Sequence, residues 1–115
     1  MLTARFRLKN KKNFSKAFRQ GKTVSNEALI MKYDEAGAGE LKIGFSVGLK
    51  YSKKSSERNR VKRWMREAVR PLLGKIKRGY QIIFLVNSKF PYKQMSYSLI
   101  KEKLEDLLTR AKLLK

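Results

Sequence analysis

The chain contains no histidine and no cysteine, and only 9 of its 115 residues are Asp or Glu. Without imidazole or thiol it lacks the usual base and nucleophile of small hydrolases, and it offers neither disulfides nor thiolate metal ligands. The carboxylates are scattered, with Asp34-Glu35 and Glu105-Asp106 as the only adjacent acidic pairs. A two-metal nuclease needs several carboxylates converging on ions about 4 Å apart. Here the first pair is expected at a strand end beside a turn and the second on the solvent side of a helix, so both read as solvated charges. P-loop and dinucleotide glycine patterns are absent. The longest apolar run, Ile82 to Val86, falls far short of the roughly 20 residues that span a bilayer. No apolar segment of signal-peptide type follows Arg5, and the expectation is a cytoplasmic protein without membrane association.

What is abundant is positive charge. Lys and Arg number 29, for a net charge of +20, and the hydrophobic fraction of 42% suffices for one packed core. A single domain over residues 1–115 is expected. The charge is clustered: Met1 to Asn26 holds eight basic residues and no acid, and Lys50 to Arg70 holds nine against Glu57 and Glu67. Such blocks point to a polyanionic partner.

Hydrophobic periodicity predicts the order α-β-β-α-β-α. Asn10 is placed to cap a short helix that runs to Gln20 and is stopped by Gly21, with Phe14, Ala17 and Phe18 on one face and Lys12, Lys16 and Arg19 around it. Residues 1–9 form an expected flexible basic arm. Ala28 to Tyr33 reads as a strand and Gly37-Ala38-Gly39 as its turn. Leu41, Ile43, Phe45 and Val47 alternate with Lys42, Gly44, Ser46 and Gly48, the period of a half-buried strand. Its second face is built of small residues, which suits either a groove floor or close packing of a helix. Val61, Trp64, Met65, Ala68 and Val69 form a helical stripe, closed by Pro71. Asn59, Arg63, Arg66 and Arg70 project from the opposite side, with Arg60 and Lys62 on its flanks. Tyr80 to Asn87 suits an interior strand. Ser96 is placed to cap a last helix carrying Ile100, Leu104, Leu107, Leu108, Ala111 and Leu114.

The run Glu57-Arg58-Asn59-Arg60-Val61-Lys62-Arg63-Trp64-Met65-Arg66-Glu67 resembles the arginine-asparagine-arginine motif of the bacterial ribonuclease P protein subunit. Arg5-Phe6-Arg7-Leu8-Lys9 and Asn13-Phe14-Ser15-Lys16-Ala17-Phe18-Arg19-Gln20-Gly21-Lys22 resemble that family's arm and first helix, and Ile43-Gly44-Phe45-Ser46-Val47 its strand leading to the motif. The resemblance implies an α+β domain with a mixed sheet, its parallel strands joined through the motif helix by a left-handed βαβ crossover, where general experience favours the right hand. It further implies a subunit that assembles with a catalytic RNA and promotes removal of the 5′ leader from precursor tRNA. The RNA and its Mg²⁺ carry the hydrolysis, and the protein alone holds no tight cofactor or metal and needs no obligate protein partner. No catalytic residue is then expected in this chain.

By the same resemblance, Arg58, Asn59, Arg60, Lys62, Arg63 and Arg66 face the catalytic RNA. Phe14, Lys16, Phe18, Lys32, Tyr33 and Ser46 line a cleft for the single-stranded leader. The family often has an aromatic on the first strand of this cleft; the equivalent position here is Lys32, with Tyr33 adjacent and directed to the other face. Either the register shifts or the contact becomes ionic. Two rival classes compete with this reading: a structural RNA-binding protein of ribosomal type with no role in cleavage, and a protein-only nuclease. The bland alternative for the arginine ridge is a solvated helix surface, but such faces mix signs to lower self-repulsion. Here only Glu67 relieves it. Phe14 and Phe18 fit a core position as well as an exposed stacking pair.

Overall fold

The computed structural model describes residues 21–115. The expected first helix, with Phe14, Lys16 and Phe18, and the arm at 1–9 lie outside them. Strands β1 (Lys22–Ser25), β2 (Leu29–Glu35) and β3 (Leu41–Ser46) precede helix α1 (Ser55–Val69), strand β4 (Tyr80–Val86) and helix α2 (Tyr97–Arg110). Short 3-10 turns occupy Arg70–Leu72 and Tyr92–Gln94. The sheet runs β1-β2-β4-β3, antiparallel except for the parallel pair β3 and β4. This is the α+β, mixed-sheet architecture expected.

Period-2 alternation decides the two faces of the sheet. Leu29 and Met31 of β2, Leu41 and Ile43 of β3, and Ile82, Phe84 and Val86 of β4 join one buried cluster with Val61, Met65, Ala68 and Val69 of α1 and Ile100, Leu104, Leu107 and Leu108 of α2. Both helices therefore cover the same face. Phe84 is fully buried and stacks on Phe45 with centroids 6.0 Å apart. Trp64 sits at the edge of this cluster, only partly buried, rather than within it.

The elements differ from expectation in three places. Strand β1 was not anticipated: Lys-Thr-Val-Ser offers one apolar residue, Val24, and four residues are too few to show a period. Gly48 does not extend the small-residue face of β3, since the strand ends at Ser46 and Gly48 accepts from the Tyr51 amide in the following turn. Helix α2 stops at Arg110, so Leu114 is not on its stripe. The Leu113 amide bonds the Leu108 carbonyl and the Lys112 amide bonds that of Thr109, with Lys112 at φ 60°. That is a Schellman ending, normally announced by glycine; lysine gives no such signal. Leu114 instead bridges Ile76.

One side chain pins the β1–β2 turn to α2. Asn26 Oδ1 accepts from the amides of Ala28 (3.2 Å) and Leu29 (2.9 Å), while Nδ2 donates to the Lys103 carbonyl (3.0 Å) and Asp106 Oδ2 (3.1 Å). Arg110 adds a bond to the Ser25 carbonyl at 3.0 Å and an ion pair to Asp106 at 3.2 Å. Among the described residues no helix is long and apolar enough to cross a membrane.

Candidate nucleic-acid interface

Helix α1 buries Val61, Met65, Ala68 and Val69, four positions of one 3.6-residue stripe, and packs chiefly on α2. Burying that stripe leaves the opposite side in water. There Ser56, Asn59, Arg60, Arg63, Arg66, Glu67 and Arg70 line an open concavity of about 430 Å³. Asn59, Arg60, Arg63 and Arg70 are exposed and Arg66 is half-buried. Four guanidinium groups thus share one surface with a single carboxylate, and a phosphodiester backbone is a fitting complement: planar guanidinium forks bind phosphate oxygens in pairs.

The structure separates the remaining motif residues from this concavity. Lys62 is half-buried on the flank and is not part of its lining. Arg58 turns back on the preceding loop, its Nη1 donating to the Ser52 carbonyl at 2.8 Å. Ser52 Oγ donates to Glu57 Oε1 at 2.7 Å and accepts from the Lys54 amide at 3.2 Å. Glu57 sits in the first turn, where a negative charge complements the helix dipole. Arg58 is thus engaged in holding the helix start as well as lying in the motif. Sequence reasoning missed Ser52; its one visible signal is an acidic residue at the third position of the helix, as in a capping box.

The loop before α1 also carries Tyr51, whose hydroxyl is buried with no hydrogen-bond partner among the described residues. Burial pushes this phenol up to about 12, with Tyr92 and Glu57 adding to the rise. The ring meets that of Tyr92 edge-on at 6.4 Å.

On the sheet face away from the helices, Thr23, Lys32, Ile83 and Gly44 stand in one cross-strand row, and Ser25, Ile30, Leu85 and Ser46 in the next. Ile83 is fully buried although it stands apart from the helix-side cluster. Lys32 and Ser46 share this face. Tyr33 does not: it packs against the helix-side core and meets Tyr80 edge-on at 6.3 Å. Its assignment to the same cleft as Lys32 is corrected, because neighbouring strand residues point to opposite faces. Beyond Ser46, at the carboxyl ends of the parallel strands, a crevice of about 480 Å³ is lined by Ser46, Gly48, Leu49, Lys50, Tyr51, Leu85, Val86 and Ser88. Leu49 is 68% exposed, an apolar side chain left in water beside a lysine. Open sheets commonly receive ligands at the carboxyl ends of their strands.

Four of the nine acids gather at α2. Glu102, Glu105 and Asp106 are on α2, and Glu27 in the β1–β2 turn pairs with Lys103. A hydrogen bond from Lys103 holds the Glu27 carboxyl below its ordinary value, and the same bond raises the lysine. The described residues therefore present an arginine-rich surface on α1, relieved by Glu67, and a mixed surface at α2 with the ion pairs Lys103–Glu27 and Arg110–Asp106.

A family model described as ribonuclease P matches residues 2–112. The ribonuclease P protein component of Caldanaerobacter subterraneus subsp. tengcongensis is 34% identical over 107 residues, covering 93% of this chain and 90% of that one. That of Thermotoga maritima is 31% identical over 110 residues, covering 94% and 93%. The solved ribonuclease P protein of Thermotoga maritima superposes with a TM-score of 0.79 at 30% identity, over 90% of this chain and 96% of that one. The Staphylococcus aureus protein gives 0.83 at 25% identity, over 96% and 98%. With the motif helix, the mixed sheet and the family match over residues 2–112 in agreement, this chain belongs to the family of ribonuclease P protein components, the protein part of a tRNA-processing ribonucleoprotein endonuclease.

Proposed function

We propose that this chain binds the catalytic RNA of ribonuclease P through the α1 surface and holds the 5′ leader of precursor tRNA on the other side of the sheet. The observation that carries this reading is the concavity of α1, where Arg60, Arg63, Arg66 and Arg70 stand beside one acid in a protein of this family. Asn59 adds an amide to the same surface, and Lys62 and Arg58 reinforce the positive field from its flanks. Lys32 and Ser46, with the crevice at Lys50, form the described part of the leader path; Phe14, Lys16 and Phe18 complete it in this proposal. Hydrolysis of the phosphodiester is assigned to the RNA, with Mg²⁺ supplying nucleophile activation and charge neutralisation there. The protein contributes binding and orientation, in the cytoplasm and without a further protein partner.

A leader test follows. Base stacking on an aromatic is worth about 1 to 3 kcal/mol by alanine substitution, so Phe14→Ala with Phe18→Ala will weaken holoenzyme binding of leader-bearing precursor tRNA by about tenfold or more. Mature tRNA will bind as before. A double variant that melts normally yet changes both affinities equally would remove these rings from the leader path.

A further inference from the structure

Arg60 is held in place from outside its own helix. Its Nη1 donates to the Tyr92 hydroxyl at 3.1 Å, across 32 residues of sequence. Tyr92 opens the 3-10 turn that follows Pro91 at φ −66°, and its half-buried ring packs on the core and edge-on against Tyr51. The Tyr51 hydroxyl is buried and makes no hydrogen bond among the described residues, so Tyr51 takes part in this arrangement through its ring. The phenol of Tyr92 therefore occupies a fixed position beside the arginine surface, in an exposed contact that solvent or a ligand can reach.

The chemistry of the pair suits one anionic oxygen cluster. A phenol oxygen that accepts from a guanidinium keeps its own O–H proton for another acceptor, and a guanidinium that spends one N–H keeps most of its donors. Arginine is long and rotamer-rich, so a neighbour that restrains it before binding lowers the ordering cost at the moment of contact. We propose that Tyr92 and Arg60 form a single phosphodiester clamp at the edge of the α1 surface, Tyr92 both positioning the guanidinium and donating to the same phosphate, with Tyr51 as the wall behind it. The clamp extends the RNA interface beyond the arginine-asparagine-arginine motif to the segment between β4 and α2. It rests on the reading of α1 as the RNA-binding surface.

A double-mutant cycle on the complete chain tests it, with ribonuclease P RNA as the probe and the thermal melt recorded for each variant. Tyr92→Phe keeps the ring and its packing and removes only the hydroxyl, so the melt stays in place while RNA affinity falls about three- to tenfold, the range of one lost hydrogen bond. Arg60→Ala weakens binding by about tenfold or more. In the Arg60→Ala background, Tyr92→Phe then has less than half of its effect on log affinity, because the two groups act on one phosphate. A normal affinity for Tyr92→Phe beside a weakened Arg60→Ala overturns the clamp and leaves the α1 reading standing. Equal losses from Tyr92→Phe in both backgrounds overturn it too, since Tyr92 would then act independently. An unaltered Arg60→Ala overturns the clamp together with the role of this arginine in the α1 surface.

Discussion

Replacing Arg60, Arg63 and Arg70 together with Ala will weaken binding to ribonuclease P RNA by roughly a thousandfold, on the basis of about tenfold or more for each charged hydrogen bond removed. The log–log salt dependence will flatten by about 2 to 3, since each lost phosphate contact takes about 0.7 to 0.9 from the slope. These three side chains are exposed and line one concavity in which Glu67 is the only acid. No core packing is lost with them, and alanine is the stronger helix former. The melting temperature will therefore hold or rise as self-repulsion is relieved. Removing Lys101, Lys112 and Lys115 lowers the net charge equally, yet these exposed residues are not part of that lining. That control separates local contacts from total charge: a similar loss from both triples would show a diffuse field rather than a docking surface.

The largest effect on folding is expected at a residue outside the binding surface. Asn26 uses both amide hydrogens and its carbonyl oxygen in four bonds, two of them from the amides of the buried residues Ala28 and Leu29. Asn26→Ala strands those two donors and frees the Lys103 carbonyl. At about 1 to 3 kcal/mol for each buried group left unsatisfied, the loss will be about 3 kcal/mol, equivalent to a drop of roughly 10 °C in melting temperature for a domain of this size. Asn26→Asp keeps the two acceptor bonds but sets a second carboxylate beside Asp106, so it will fall between wild type and alanine at neutral pH and recover as the pH is lowered. Equilibrium denaturation of both variants checks this. A loss below about 0.5 kcal/mol for Asn26→Ala, the scale of an ordinary surface change, would mean that the turn and α2 are tied by other groups.

The difference between what periodicity reveals and what it hides is plain in these residues. The α1 stripe and the apolar run of β4 are long enough for their spacing to name both element and buried face, and the arginine surface follows as the complement of that stripe. The same period-2 rule separates Lys32 from Tyr33, so the two never belonged to one cleft. Strand β1 escapes because four residues with one apolar member carry no period; its place is set by pairing with β2. The end of α2 escapes because its left-handed residue is lysine. Asn26, Ser52 and Tyr92 escape for another reason. Their roles rest on partners elsewhere in the fold or on the exact path of a loop: Asn26 meets residues 77 and 80 positions away, and Tyr92 meets Arg60 across 32. No local pattern contains those distances, and only the folded sheet with α1 and α2 packed on one face brings the groups together.

The division of labour between this chain and RNA is tested most directly by one reconstitution at low salt and modest Mg²⁺. Cleavage of precursor tRNA is followed with the protein alone, with ribonuclease P RNA alone, and with both. The proposed function predicts no cleavage by the protein at any concentration, slow cleavage by the RNA, and fast release of the 5′ leader only when the two are combined. Hydrolysis by protein freed of all RNA, abolished by substituting Asp34 or Glu35, would contradict it and establish a protein-only nuclease, while a complex that binds RNA without accelerating cleavage would reduce the chain to a structural RNA-binding protein.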